Sequence, residues 1–144
     1  MAEFRQMCTF RLARLFFGLE VHHVQEVLKY RELTQVPLAP PEVRGLINLR
    51  GQIVTAIDLR RRLGLPERGE GVKPMNIVVR SHEGIVSLLV DEIQDVLSVS
   101  DDLFEPPPET LDDNTRQLLS GVYKLENNLL LRLDLDRVLD IPVT

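Results

Sequence analysis

The chain has 144 residues, 44% of them hydrophobic, and a net charge of −5. It is long enough for one compact domain, and too acidic for a general nucleic-acid binder, whose phosphate contacts need clustered Lys and Arg. A single cysteine excludes an intrachain disulfide and reads as intracellular, "MAEFRQM" lacks a leader pattern, and no apolar run nears the roughly 20 residues of a membrane span, so a cytoplasmic protein is expected.

Short, β-branched apolar segments bounded by Gly, Pro or charge run along the chain, and segments of this kind read as strands of an all-β protein. The first, "MCTFRL" (7–12), alternates and makes Cys8 a small buried side chain. Residues 22–28, "HHVQEVL", read equally as a turn of helix or the start of a strand. "QIVTAIDL" (52–59) reads as a strand running into "DLRRRLGLP", where Asp58 caps a short helix and Gly64 and Pro66 stop it. "GLPERGEGVKP" (64–74) has the composition of a linker. "MNIVVR", "GIVSLLV" and "DVLSVS" follow as strands. In "DDLFEPPPETLDD" (101–113) three prolines exclude regular pairing, and a stiff connector is the plainer reading. "GVYKL" and "NLLLRLDL" are the last strands, and "DLDRVLDIP" is a helical stop capped by Asp134 and ended by Pro142.

Two internal echoes link the halves. Gly51–Leu65 aligns without a gap on Asn127–Ile141, with Asp58, Leu59, Arg61 and Leu63 matching Asp134, Leu135, Arg137 and Leu139. "VQEVL" (24–28) matches "IQDVL" (93–97). Two matches in the same order point to duplication, with two related lobes that each close into a small barrel.

Catalytic patterns are lacking. His22 and His23 would point to opposite faces of a strand, His82 falls in a turn, and no C-x-x-C, H-E-x-x-H or G-x-S-x-G occurs. Asp58 and Asp134 read as caps and Asp91 as a turn acid rather than an acid–base pair; Asp95 belongs to no pattern with them. "RGLINLRG" lacks the Gly-rich spacing and Lys-Ser/Thr tail of a phosphate loop, so Gly45 and Gly51 read as a tight backbone turn and a strand-entry position. Arg60, Arg61 and Arg62 spread around a short helix and read as a solvated face; a small-barrel nucleic-acid binder using this run is the competing class. With no evident catalyst, and a groove expected between two lobes, the residues point to an interaction module.

The run "VQEVLKYRELTQVPLAPPEVRGLINLRGQIVTAIDLRRRLG", with "GIVSLLVDEIQDVLSVS" and "LLSGVYKLENNLLLRLDLDRVL", resembles the CheW-type chemotaxis coupling proteins over essentially the whole chain. The resemblance implies a single domain over 1–144, all-β, made of two SH3-like five-stranded β-barrel lobes around a shared apolar core with short helices. The expected division is lobe 1 at about 10–66, a linker at about 64–74 and lobe 2 at about 74–144. It further implies a non-enzymatic scaffold without a cofactor, joining chemoreceptor cytoplasmic tips to a CheA-type histidine kinase and recruited to membrane receptor arrays. An adaptor of a surface-motility or gene-control pathway fits the same motifs. By matching positions, Val24, Glu26, Arg50, Ile93 and Val96 fall on receptor-binding positions and Gly45 on a turn linked to kinase coupling. Val24, Ile93 and Val96 have core packing as their plain alternative, and Gly45 has backbone shape. Glu26 and Arg50 are further expected to form a bidentate ion pair that fixes the groove wall.

Overall fold

The computed structural model describes residues 3–82 and 84–141. Strands dominate: β1 Phe4–Leu12, β2 Leu15–Glu20, β3 Val24–Leu28, β4 Val43–Leu49, β5 Gln52–Asp58, β6 Met75–Ser81, β7 Gly84–Val90, β8 Glu92–Ser100, β9 Phe104–Glu105, β10 Leu119–Lys124 and β11 Leu129–Leu133. Three short helices, α1 Leu59–Arg62, α2 Asp113–Gln117 and α3 Leu135–Leu139, sit between or after them. The ambiguous segment 22–28 resolves into both alternatives, with a 3-10 turn at Val21–His23 and then β3. The connector 101–113 holds a 3-10 turn, the two-residue β9 and the start of α2.

Two sheets form, in the orders β8-β1-β2-β11-β10-β9 and β3-β6-β7-β5-β4. Apart from β9 they are built alike. A first hairpin (β1–β2, β6–β7) is joined in parallel to a second (β11–β10, β5–β4), through β2 with β11 and through β7 with β5. The edge strand of each sheet comes from the other half: β3 follows β2 but pairs with β6, and β8 follows β7 but pairs with β1. Both echoes therefore fall on equivalent positions, and the fold is all-β with two SH3-like lobes.

This exchange corrects the expected division. The segment 64–74 connects α1 to β6 inside one sheet, and the first strand starts at Phe4. One lobe is drawn from residues 24–90; the other combines 4–20 with 92–133. Each edge strand crosses over because it continues directly from a hairpin of the other lobe, which a composition-based boundary does not register.

Burial explains the continuous apolar runs. Val78 and Leu89 point into one lobe's own cluster, with Ile47, Leu49, Val54 and Ala56. Their neighbours Ile77, Val79, Leu88 and Val90 face a large shared core, with Phe10, Leu12, Phe17, Leu19, Leu131 and Leu133 of the other sheet. Met7, Phe16, Val99, Tyr123 and Leu130 fill the second lobe. Strands covered on both faces lose the apolar–polar alternation. The caps form as read: the Asp58 carboxylate accepts from the Arg60 N–H at 3.1 Å, and that of Asp134 from the Arg137 N–H at 3.2 Å. Gly64, at φ +73°, ends α1 with paired bonds from its own N–H to the Arg61 carbonyl and from the Leu65 N–H to that of Arg60. Pro142 lies outside the described residues.

Candidate functional site

The exchanged strands β3 and β8 flank a cavity of about 260 Å³ that is apolar on nearly every side. Val24 and Val27 line it from β3, Ile93 and Val96 from β8, with Cys8 and Ile77 beneath. The strand registers show why the two walls match. Val27 lies opposite Ile77 and Val24 opposite Val79, while Val96 lies opposite Cys8 and Ile93 opposite Phe10. Each strand carries one extra residue between these pairs, so the two bulges occupy equivalent places in "VQEVL" and "IQDVL". A bulge bends an edge strand and blocks continued pairing. At the β8 bulge the Thr9 hydroxyl donates to the Asp95 carbonyl.

Four of the expected receptor-binding residues, Val24, Glu26, Ile93 and Val96, thus meet in one groove, although 67 or more positions separate the β3 members from those on β8. Val24 and Ile93 are half-buried and also pack on the shared core, so the core alternative describes part of each. Val96 is 55% exposed and Val27 47%. Exposed aliphatic side chains gathered at a cavity mark a contact surface. Val27 and Cys8 join the lining in addition to the expected residues. The echo carried the signal for Val27, which aligns with Val96. Cys8, expected to be buried, is half-buried in the groove floor, and burial pushes its thiol up, away from reactivity.

Arg50 occupies the tip of the β4–β5 hairpin. Leu49 pairs with Gln52, leaving a two-residue turn, Arg50–Gly51, with φ +50° and +88°. Two positive φ values define the type I′ turn, for which Asn-Gly is the unstrained choice. The Asn48 side-chain oxygen accepts from the Gly51 N–H at 2.8 Å and closes the turn. From there Arg50 Nη2 reaches both Glu26 carboxylate oxygens, at 2.5 and 2.7 Å. The expected pair exists, but one nitrogen serves both oxygens instead of a two-nitrogen fork, which leaves the rest of an exposed guanidinium outward.

Gly45, expected at a turn, instead lies buried within β4, opposite Ala56, and offers no contact surface of its own. A Cβ there would lie 2.6 Å from the Thr34 carbonyl oxygen. Thr34 and Leu46 exchange backbone hydrogen bonds at 2.9 and 2.8 Å, so the missing side chain lets the 29–42 segment lie against β4. Backbone shape is the role that the geometry supports.

The arginine run requires a correction. Arg60 meets Asp91 through Nε at 2.9 Å and Nη2 at 2.5 Å, Arg61 holds Glu67 and the Pro41 carbonyl, and Arg62 donates to the carbonyls of Val138, Arg137 and Asp140. These are intramolecular ties, not a solvated face or a free basic patch. Asp91, expected as a simple turn acid, also accepts from the Ala13 N–H and pairs with Arg68 at 2.8 Å. Burial pushes its carboxyl up, but the bonds from Arg60 and Ala13 and the charges of Arg68 and Arg60 outweigh this and hold it below the usual range.

His22 and His23 lie side by side on the 3-10 turn, ring centroids 4.1 Å apart, instead of on opposite strand faces. Burial first, then the neighbouring His22, holds His23 below its usual pKa. Among the described residues, no group of three or more His, Cys, Asp or Glu could hold a metal ion. No described helix is long and apolar enough to cross a membrane.

Two exchanged SH3-like lobes with an apolar groove between their edge strands define a binding scaffold. The profile of the CheW-like domain matches residues 6–142, and the chain belongs to that family. The chemotaxis protein CheW of Bacillus subtilis is 33% identical over 135 residues, covering 94% of this chain and 86% of that protein. CheW of Rhizobium meliloti is also 33% identical, over 134 residues, covering 93% and 86%. The crystal structure of the scaffolding protein TtCheW from Thermoanaerobacter tengcongensis superposes with a TM-score of 0.85 at 29% identity, covering 97% of this chain and 95% of that one. The family is one of non-enzymatic chemotaxis scaffolds, and this chain is a scaffold of that kind.

Proposed function

We propose that this chain couples chemoreceptor cytoplasmic tips to a CheA-type histidine kinase, so that receptor state controls autophosphorylation. The observation that carries this reading is the groove: residues from two distant segments converge on one exposed apolar cavity, with Glu26 in its lining and Arg50 paired to Glu26. Such a cavity suits the apolar face of a helix, and receptor tips are helical. Val24, Ile93 and Val96 supply the apolar contact, and the Arg50–Glu26 pair holds the rim. Gly45 serves the kinase indirectly, through the path of β4 and the segment lying on it. The protein works in the cytoplasm and reaches the membrane through the receptor array.

The test is a pull-down with the organism's CheA-type kinases and receptor cytoplasmic fragments, alongside an established coupling protein. Capture of both partners supports the reading. Capture of neither, under conditions where the established protein binds both, overturns it.

A further inference from the structure

The walls of the groove match in apolar residues but not in charge. Superposing the two bulged motifs pairs Val24 with Ile93, Val27 with Val96 and Glu26 with Asp95. A perfectly symmetric groove would accept a helix equally in either direction. Glu26, however, is neutralised within the chain by Arg50. Asp95 is exposed, its backbone carbonyl accepts from the Thr9 hydroxyl, and its carboxylate has no ion-pair partner among the described residues. Glu92, at the start of β8, lies opposite Arg11 in the strand register, whereas Asp95 is the β8 acid at the bulge, in the place equivalent to Glu26.

We infer that Asp95 sets the direction in which the groove is occupied, by taking a basic residue that stands beside the apolar stripe of a partner helix. The inference rests on the proposed receptor reading and adds to it the orientation of the helix and the residue that selects it. The apolar half-sites supply attraction without direction, and an unpaired acid at the bulge of one wall, where the other wall's acid is neutralised, breaks the tie. An acidic residue in the same place on the partner would meet Asp95 without a neutralising cation, so both the favourable and the unfavourable orientation are specified. The cavity has room for a few aliphatic side chains and not for a helix body, which keeps the partner's flanking residues outside it, near Asp95, whose chain neighbours Gln94 and Val96 line the cavity.

The probe is a purified chemoreceptor cytoplasmic tip fragment, measured against wild type, Asp95→Asn, Asp95→Lys, Val24→Asp and Val96→Asp. Asp95→Asn is expected to weaken binding about threefold and to flatten its salt dependence, and Asp95→Lys to weaken it about tenfold. A nitroxide beside the fragment's basic residue should broaden the Val96 methyl signals more than those of Val27. If both valine variants bind as wild type, the groove is not the dock and the receptor reading of it fails. If they abolish binding while both Asp95 variants bind as wild type, or if Asp95→Lys binds more tightly, the groove stands and the directional role of Asp95 is overturned. Equal broadening of Val27 and Val96 overturns it as well.

Discussion

Arg62, at the end of α1, donates from Nε to the Val138 carbonyl oxygen in α3, 2.8 Å away across 76 positions of sequence. Its Nη2 donates to the carbonyls of Arg137 and Asp140, at 2.8 and 3.2 Å. One lobe's closing helix thus satisfies the carbonyl end of the other's. Hydrogen bonds to a charged group contribute about 1.5–3 kcal/mol, so Arg62→Ala should lower unfolding free energy by roughly 2 kcal/mol. Arg62→Lys should recover only part, because an ammonium cannot match the planar fork. Urea denaturation measures both, and an Arg62→Ala midpoint equal to wild type would show the tie to be ornamental.

Asp91 makes stability depend on pH. Its folded pKa lies below the unfolded value of about 3.9, so its contribution is complete above that value and falls away as pH drops through the folded one. Asp91→Asn should therefore cost about 2–4 kcal/mol at pH 7, with Arg60 left without its carboxylate partner and Arg68 with that of Asp58 alone. The gap between wild type and variant should stay flat from pH 7 to about 5 and close in strong acid. Urea titrations at several pH values check this, and a gap that widens on acidification would refute it.

Gly45→Ala tests backbone shape. The added Cβ must displace the Thr34 carbonyl, and overpacking of this kind costs about 1–3 kcal/mol. Faster amide exchange at Thr34 and Leu46, whose N–H groups close the bridge, should accompany the loss. A stable variant with protected amides and impaired kinase binding would instead make Gly45 a contact.

The strands, both aspartate caps and the Gly64 stop were legible because each depends on neighbours within a few positions. The groove was legible in part, since the family resemblance marks Val24, Ile93 and Val96, and "VQEVL" and its echo "IQDVL" turn out to supply the two walls. The exchange of β3 and β8 was not, because an edge strand's sequence does not say which sheet it joins. The arginine run misled for a related reason: the partners of Arg60 and Arg62 stand 31 and about 76 positions away. Seen alone, three consecutive arginines are indistinguishable from a solvated face.

Arg50 combines backbone strain with an outward-facing charge. A non-glycine residue in the left-handed region costs about 1–2 kcal/mol, least for Asn, whereas an exposed ion pair such as Arg50–Glu26 contributes about 0.2–1 kcal/mol. Arg50→Asn restores the preferred Asn-Gly hairpin and should leave the protein as stable as wild type or up to about 1 kcal/mol more so. Receptor co-sedimentation and kinase control should weaken nonetheless, because the rim loses its cation and Glu26 its partner. Strain kept at a position where a common residue would relieve it is a mark of function. A variant that is stabilised and couples normally would remove Arg50 from the site. A loss of more than about 1 kcal/mol would mean that the ion pair holds the fold and not the partner.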